Sequence, residues 1–230
     1  MSLPLSPLST VPHDVLAALR EATGSRHALI DSAMPLSVDT PSLDDYCLHL
    51  QLIAAWLAPL ERWLARFDDG PQAALPFIAR MPSIERDLAD PSLCVETEHA
   101  KTRDDEAAPP DAVDAAFRWG VCYVIEGSQL GGTVLYRRLG ATLAPHPLRY
   151  LSGDGVAPGP RWKAFIDAMR AQLHTPREIA RACAGARDAF DRLLALLPAV
   201  NVVESSGESS GESSVDTDAD ARDAFDAMSG

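Results

Sequence analysis

The sequence contains no apolar run approaching the ~18 residues that a membrane-spanning helix requires, so no span is expected. Residues 1–9 lack the basic start and long apolar stretch of a secretory signal, so no signal peptide is expected there. Cysteine is scarce: Cys47, Cys94, Cys122 and Cys183 lie far apart and show no Cys-x-x-Cys spacing. That excludes a secreted disulfide scaffold and leads us to expect the reduced thiols of a cytoplasmic protein, mostly serving as small buried hydrophobes. Positive charge is also short. Lys and Arg number 20 against 33 Asp and Glu, a net charge of −13. Nucleic acid and anionic membrane surfaces would be repelled by that balance. No Walker-type loop, zinc spacing or nucleophile elbow occurs, and no stretch alternates with the period of two that a half-buried strand needs.

What is present is helical periodicity. Leu16, Leu19, Thr23, His27 and Ile30 recur at spacings of three and four and mark one face of a first helix. Thr40-Pro41 reads as the start of a second, a capping hydroxyl followed by proline in the first turn. Its stripe is Leu43, Tyr46, Leu50, Ile53, Leu57, Leu60 and Leu64, with a bend expected at Pro59. A shorter helix is expected over 83–90 and a long one over 112–139. The proline- and glycine-rich segment 140–160 reads as an extended loop, followed by helices over 161–173 and 177–197. The fold expected is all-α, a bundle-like helical domain over residues 11–203. Residues 1–10 are expected to be loose. Residues 204–230 repeat Glu-Ser-Ser-Gly, run into an Asp-rich stretch and carry −7, leaving −6 for the rest. Such a segment holds too little apolar surface to offset its ordering entropy, and disorder is expected.

Two segments carry chemistry. On the first helix, His27 follows Arg20 by seven residues and precedes Asp31 by four. Seven residues are two turns, so Arg20 and His27 share a face about 10 Å apart along the axis. That distance suits an imidazole on a haem iron and a guanidinium on a haem propionate. Asp31 can accept the other imidazole N–H and fix the tautomer. The plain alternative is a half-buried histidine with a local carboxylate partner. In the long helix, Tyr123 leads into Gly127-Ser128-Gln129-Leu130-Gly131-Gly132. Three interior glycines cost roughly 3 kcal/mol relative to alanine. Either they bare the backbone for close approach of something flat, or they form a small-residue seam with another helix. Other histidines offer less. Glu96-x-x-His99 is a single copy of a motif that di-metal bundles need twice, and Pro176 breaks the geometry between His174 and Glu178. His13, His49 and His146 have no partner pattern.

Together, Leu19-Arg20-Glu21-Ala22-Thr23 with His27, and the run from Gly127 to Gly132, resemble the haem oxygenase family, most closely its bacterial, biliverdin-producing members. The resemblance extends to Leu43-Asp44-Asp45-Tyr46 and to Trp162 through Phe165. It implies that haem is both cofactor and substrate, cleaved with O2 and electrons to biliverdin, CO and ferrous iron. It implies His27 as the axial iron ligand, and Gly127 and Gly131 against the haem and oxygen site, with Gly132 beside them and Tyr123 near the distal pocket. Where animal members carry a distal aspartate this chain has Ser128, so ordered waters held by backbone carbonyls and the serine hydroxyl would act in its place. Lys163 and Arg170 are candidates for the second propionate. The implied partners are a ferredoxin or reductase as electron donor and a bacteriophytochrome that receives biliverdin, with no nucleic acid and no membrane. Two other classes compete: a haem-binding or trafficking protein without turnover, and a di-metal oxidase on the same fold. The tight glycine run speaks against the first and the lone Glu-x-x-His against the second.

Overall fold

The computed structural model describes residues 14–93, 109, 113–155 and 157–197. The expectations for residues 1–10, for Glu96 and His99, and for residues 204–230 lie outside the described residues. Within them the protein is all-α: helices α1 Val15–Ala33, α2 Leu43–Leu64, α3 Pro71–Ala74, α4 Met81–Leu88, α5 Ala115–Leu139, α6 Arg149–Ser152, α7 Pro158–Arg170 and α8 Pro176–Leu196. No helix among the described residues is long and apolar enough to cross a membrane.

Local chemistry sets the helix starts. Asp14 caps α1, its carboxylate accepting from the Leu16 N–H at 3.3 Å. The start of α2 is Ser42 rather than Thr40. Ser42 Oγ accepts from the Asp45 N–H (3.2 Å) while the Asp45 carboxylate accepts from the Ser42 N–H (2.8 Å). Thr40 has Leu43 three residues on and cannot form that reciprocal pair. Asp114 caps α5 through the Phe117 N–H at 2.9 Å. His174 and Glu178 turn out to be part of a helix start as well. The Glu178 carboxylate accepts from the His174 and Thr175 N–H groups, and Thr175 Oγ1 accepts in return from the Glu178 N–H. The segment 140–160, expected as an extended loop, contains the short helix α6. No periodicity marks it, because a partner distant in sequence holds it: Asp87 accepts from the Tyr150 N–H at 2.9 Å and from Arg149 at 3.1 Å.

Helix α8 is the platform on which α1, α2 and α5 are arranged. Trp56 of α2 donates from Nε1 to the Ala189 carbonyl at 2.9 Å. Helix α5 comes closest of all. A Cβ placed on Gly120 would sit 1.8 Å from the Ala182 carbonyl oxygen, and one on Gly185 would sit 2.0 Å from that of Phe117. The two backbones touch only because both positions are glycine. The small-residue seam therefore exists, but at Gly120 and Gly185. The helices run in the same direction there. Arg181 donates to Asp114 (3.0 Å) and lies over Phe117, Gly185 meets Phe117, and Gly120 seats on Ala182 and Ala186. Helix α1 also packs on α8, through Arg26 to Asp191 at 2.7 and 3.1 Å and through His27 against Phe190.

Candidate active site

The α1 wall is built around His27. Its Nδ1 pairs with Asp31 Oδ2 at 2.7 Å across one helical turn, and its side chain is 42% exposed. The ring edge meets Phe190 with centroids 5.9 Å apart. The neighbouring Arg26–Asp191 pair holds this turn of α1 in register with α8. Arg20, two turns earlier, is half-buried. Between them, on the same face by the 3.6-residue period, lies Gly24, where a Cβ would meet nothing within 4 Å. The spacing of residues 20, 24, 27 and 31 was open to sequence reading, and Gly24 is the residue that reading missed.

The α5 wall begins where the seam ends. Gly120, Gly127 and Gly131 share one helical face. At Gly120 that face is pressed on α8. At Gly131 it is exposed, and a Cβ there would meet nothing within 4 Å. Seven residues on from Gly120 takes α5 about 10 Å further, level with the turn of α8 that carries Phe190. Phe190 is the residue that His27 touches from α1. Gly132 differs from its neighbour. It is buried against Leu151 of α6, with the nearest atom 3.7 Å from a built Cβ, so it seats the helix. Ser128 Oγ donates to the Ile125 carbonyl at 2.8 Å. Its proton is thereby committed to its own helix, and its oxygen is left to accept. Gln129 Nε2 reaches the Tyr150 hydroxyl at 3.3 Å.

Behind this wall lies a charged network that no sequence spacing marks. The Glu126 carboxylate accepts from Arg161 Nη2 (2.9 Å) and Nε (3.2 Å) and from Arg80 Nη2 (2.9 Å). Burial pushes that carboxyl up, but the Arg161 hydrogen bonds and the Arg80 charge outweigh it and hold Glu126 below the usual range. The Arg80 N–H donates to Glu61 Oε1 of α2 at 2.9 Å, and burial pushes Glu61 up. A third buried carboxylate, Asp87, accepts from the Tyr46 hydroxyl at 2.6 Å as well as from the Tyr150 N–H and Arg149.

Two expected site residues, Tyr123 and Lys163, stand elsewhere, and Arg170 lies at the start of α1. Tyr123 is buried, with its ring tilted on Trp162 of α7 at 5.5 Å. Lys163 is 76% exposed and paired with Asp167 at 2.7 Å. Arg170 pairs with Asp14 at the start of α1, both contacts at 3.2 Å. Of the two cations considered for a second carboxylate, Arg170 is the one brought to α1. His49 and His146 are buried, whereas His27 is partly exposed.

The family model described as "Heme oxygenase" matches residues 13–198, most of the chain. The chain belongs to the haem oxygenase family. It is also 32% identical over 144 residues to a protein named "Heme oxygenase" from Xanthomonas campestris pv. campestris (strain 8004), an overlap of 62% of this chain and 79% of that one. The residues present fit the haem such an enzyme acts on. A porphyrin brings four nitrogens to its iron and asks one axial ligand of a histidine-ligated protein. Among the described residues no three His, Cys, Asp or Glu side chains converge, whereas one carboxylate-oriented imidazole stands on α1. A flat ring also needs bare helix surface, and both Gly24 and Gly131 open onto space.

Proposed function

We propose that this haem oxygenase family member cleaves haem to biliverdin, CO and ferrous iron, using O2 and electrons from a donor protein. The observation that carries the reading is the open Gly131 face of α5, reaching the level of α8 at which His27 stands on α1. Bound haem supplies the iron that activates dioxygen and the ring that is cut. His27 holds the iron through Nε2, while Asp31 keeps the proton on Nδ1 and fixes the ring's orientation. Arg20, about 10 Å away along α1, binds a propionate, and Arg170 is the proposed second cation. Gly127 and Gly131 would let the α5 backbone lie close against bound haem, and that closeness would limit the room for dioxygen. Ser128 accepts a hydrogen bond from an ordered water rather than donating one itself, because its proton goes to Ile125. Tyr123 acts on the site only through the seating of α5 on α7. A ferredoxin or a reductase is the proposed electron source, a bacteriophytochrome a proposed recipient of biliverdin, and the cytoplasm the proposed compartment.

The test is haem titration without oxygen, followed by reductant and then air. The reading predicts a Soret band on titration, then its loss with growth of the biliverdin band. A Soret band that persists through reduction and aeration would identify a haem-binding protein without turnover. Absence of any Soret shift would refute both, and iron uptake without haem would point to a di-metal oxidase.

A further inference from the structure

We propose that Glu126 is a positioning residue for this reaction: clamped by Arg80 and Arg161, it sets how the turn Gly127–Gly132 lies over the substrate. The inference rests on the haem-cleavage reading above. A Cβ at Gly131 would meet nothing, and Ser128 donates to its own helix and reaches outward only to Tyr150, so the open face does little to locate the turn. Its location is inherited from the residues on either side. On one side Gly132 rests on Leu151 at ordinary van der Waals distance, and Gln129 reaches Tyr150 through a hydrogen bond of 3.3 Å. On the other side stands Glu126, one residue before Gly127, with three charge-assisted hydrogen bonds of 2.9–3.2 Å.

The clamp reaches three other elements. Arg161 comes from α7, and Arg80 from the residue that opens α4. Arg80 is itself tied to α2 through its N–H on Glu61 and donates from Nη1 to the Ile78 carbonyl at 3.1 Å. Directional bonds to two arginines therefore fix both the height and the rotation of α5 at this point. Mere burial does not call for charge here, since a buried ion pair holds a helix no more tightly than a well-packed apolar side chain of similar size. Geometry is what the ionic version adds. Glu126 also lies some 140° around the helix from Gly131, at 100° per residue, so it faces away from the open side. It acts from behind the wall and does not touch the substrate.

The experiment compares wild type with Glu126→Gln, which keeps the reach and removes the charge, and with Arg161→Gln, which leaves Arg80 in place. Two quantities are read: amide exchange in the haem-free chain, and the distribution of biliverdin isomers formed from added haem. The inference expects exchange at residues 127–132 to rise about tenfold in Glu126→Gln and less in Arg161→Gln, with α1 unchanged. It also expects a broader isomer distribution in the same order. A structural role alone would lower stability without redistributing the isomers. An isomer distribution identical to wild type in both variants overturns the inference, whatever happens to exchange. If Glu126→Gln does not fold, Arg161→Gln decides alone. If wild type makes no biliverdin, the haem-cleavage reading fails on its own account, and unchanged exchange at 127–132 then overturns the clamp as well.

Discussion

Alanine at Gly131 and at Gly120 should have opposite consequences, although both glycines lie on one face of α5. At Gly131 a methyl group meets nothing within 4 Å, so the substitution removes the helix-propensity penalty of glycine, about 1 kcal/mol. For a chain of this size that raises the melting temperature of the haem-free protein by about 2–4 °C. The same methyl projects from the wall proposed to face bound haem, and biliverdin formation should fall at least about tenfold, a barrier increase of roughly 1.4 kcal/mol. At Gly120 the methyl would lie 1.8 Å from the Ala182 carbonyl oxygen. Helices α5 and α8 must part to admit it, at a cost of about 1–3 kcal/mol or more, and melting should drop by several degrees. The assay is thermal unfolding of both haem-free variants, followed by a single-turnover spectrum with one equivalent of haem. Gly131→Ala that melts well below wild type yet makes biliverdin at the normal rate would refute the reasoning, because it would make Gly131 a packing residue.

Three further outcomes follow from particular groups. His27→Ala should lose the wild-type Soret maximum and turnover, with added imidazole restoring part of both, and an unchanged spectrum would remove His27 from the iron. Burial pulls the His49 imidazole down to about 4 from an ordinary 6.5. The unfolded chain therefore takes up a proton that the folded one refuses as pH falls below 6.5. Its contribution is fully present above pH 6.5 and is lost on the way down to pH 4, roughly 2–3 kcal/mol by about pH 4.5. Urea unfolding of His49→Gln should show that much less pH dependence than wild type, and equal slopes would contradict it. Removal of residues 204–230, with their net −7, should leave haem affinity and single-turnover rate within about twofold, under 0.5 kcal/mol. A collapse of haem binding on truncation would show that the segment contributes to the site.

The parts of the molecule legible in the sequence are those encoded within one helix. The α2 stripe from Leu43 to Leu64 and the α5 run through Gly131 follow from period and composition, and so does the His27–Asp31 pair, which needs only a spacing of four. What escaped was encoded between helices. Gly120 and Gly185 form the seam of α5 and α8, yet they stand far apart in the chain and each looks like an isolated glycine. The attention that Gly127 and Gly131 drew as a possible seam belonged to this pair. Helix α6 escaped for the same reason, since Asp87 of α4 holds it, and a proline-rich flank hides it from periodicity. Arg80, Glu126 and Arg161 share no local pattern, so their convergence is a product of the fold. Ser42 was missed on a finer scale: Thr40-Pro41 satisfies the general rule for a helix start, but only Ser42 has Asp45 three residues on to complete the pair.

The central claim is that the walls carrying His27 and Gly131 enclose a haem that is cut. The measurement that meets it most directly is the yield of CO from the full chain loaded with one equivalent of haem, supplied with reductant and O2, with biliverdin quantified in parallel. The account predicts one CO and one biliverdin for each haem consumed. Haem that remains bound and intact, with no CO released, would contradict it.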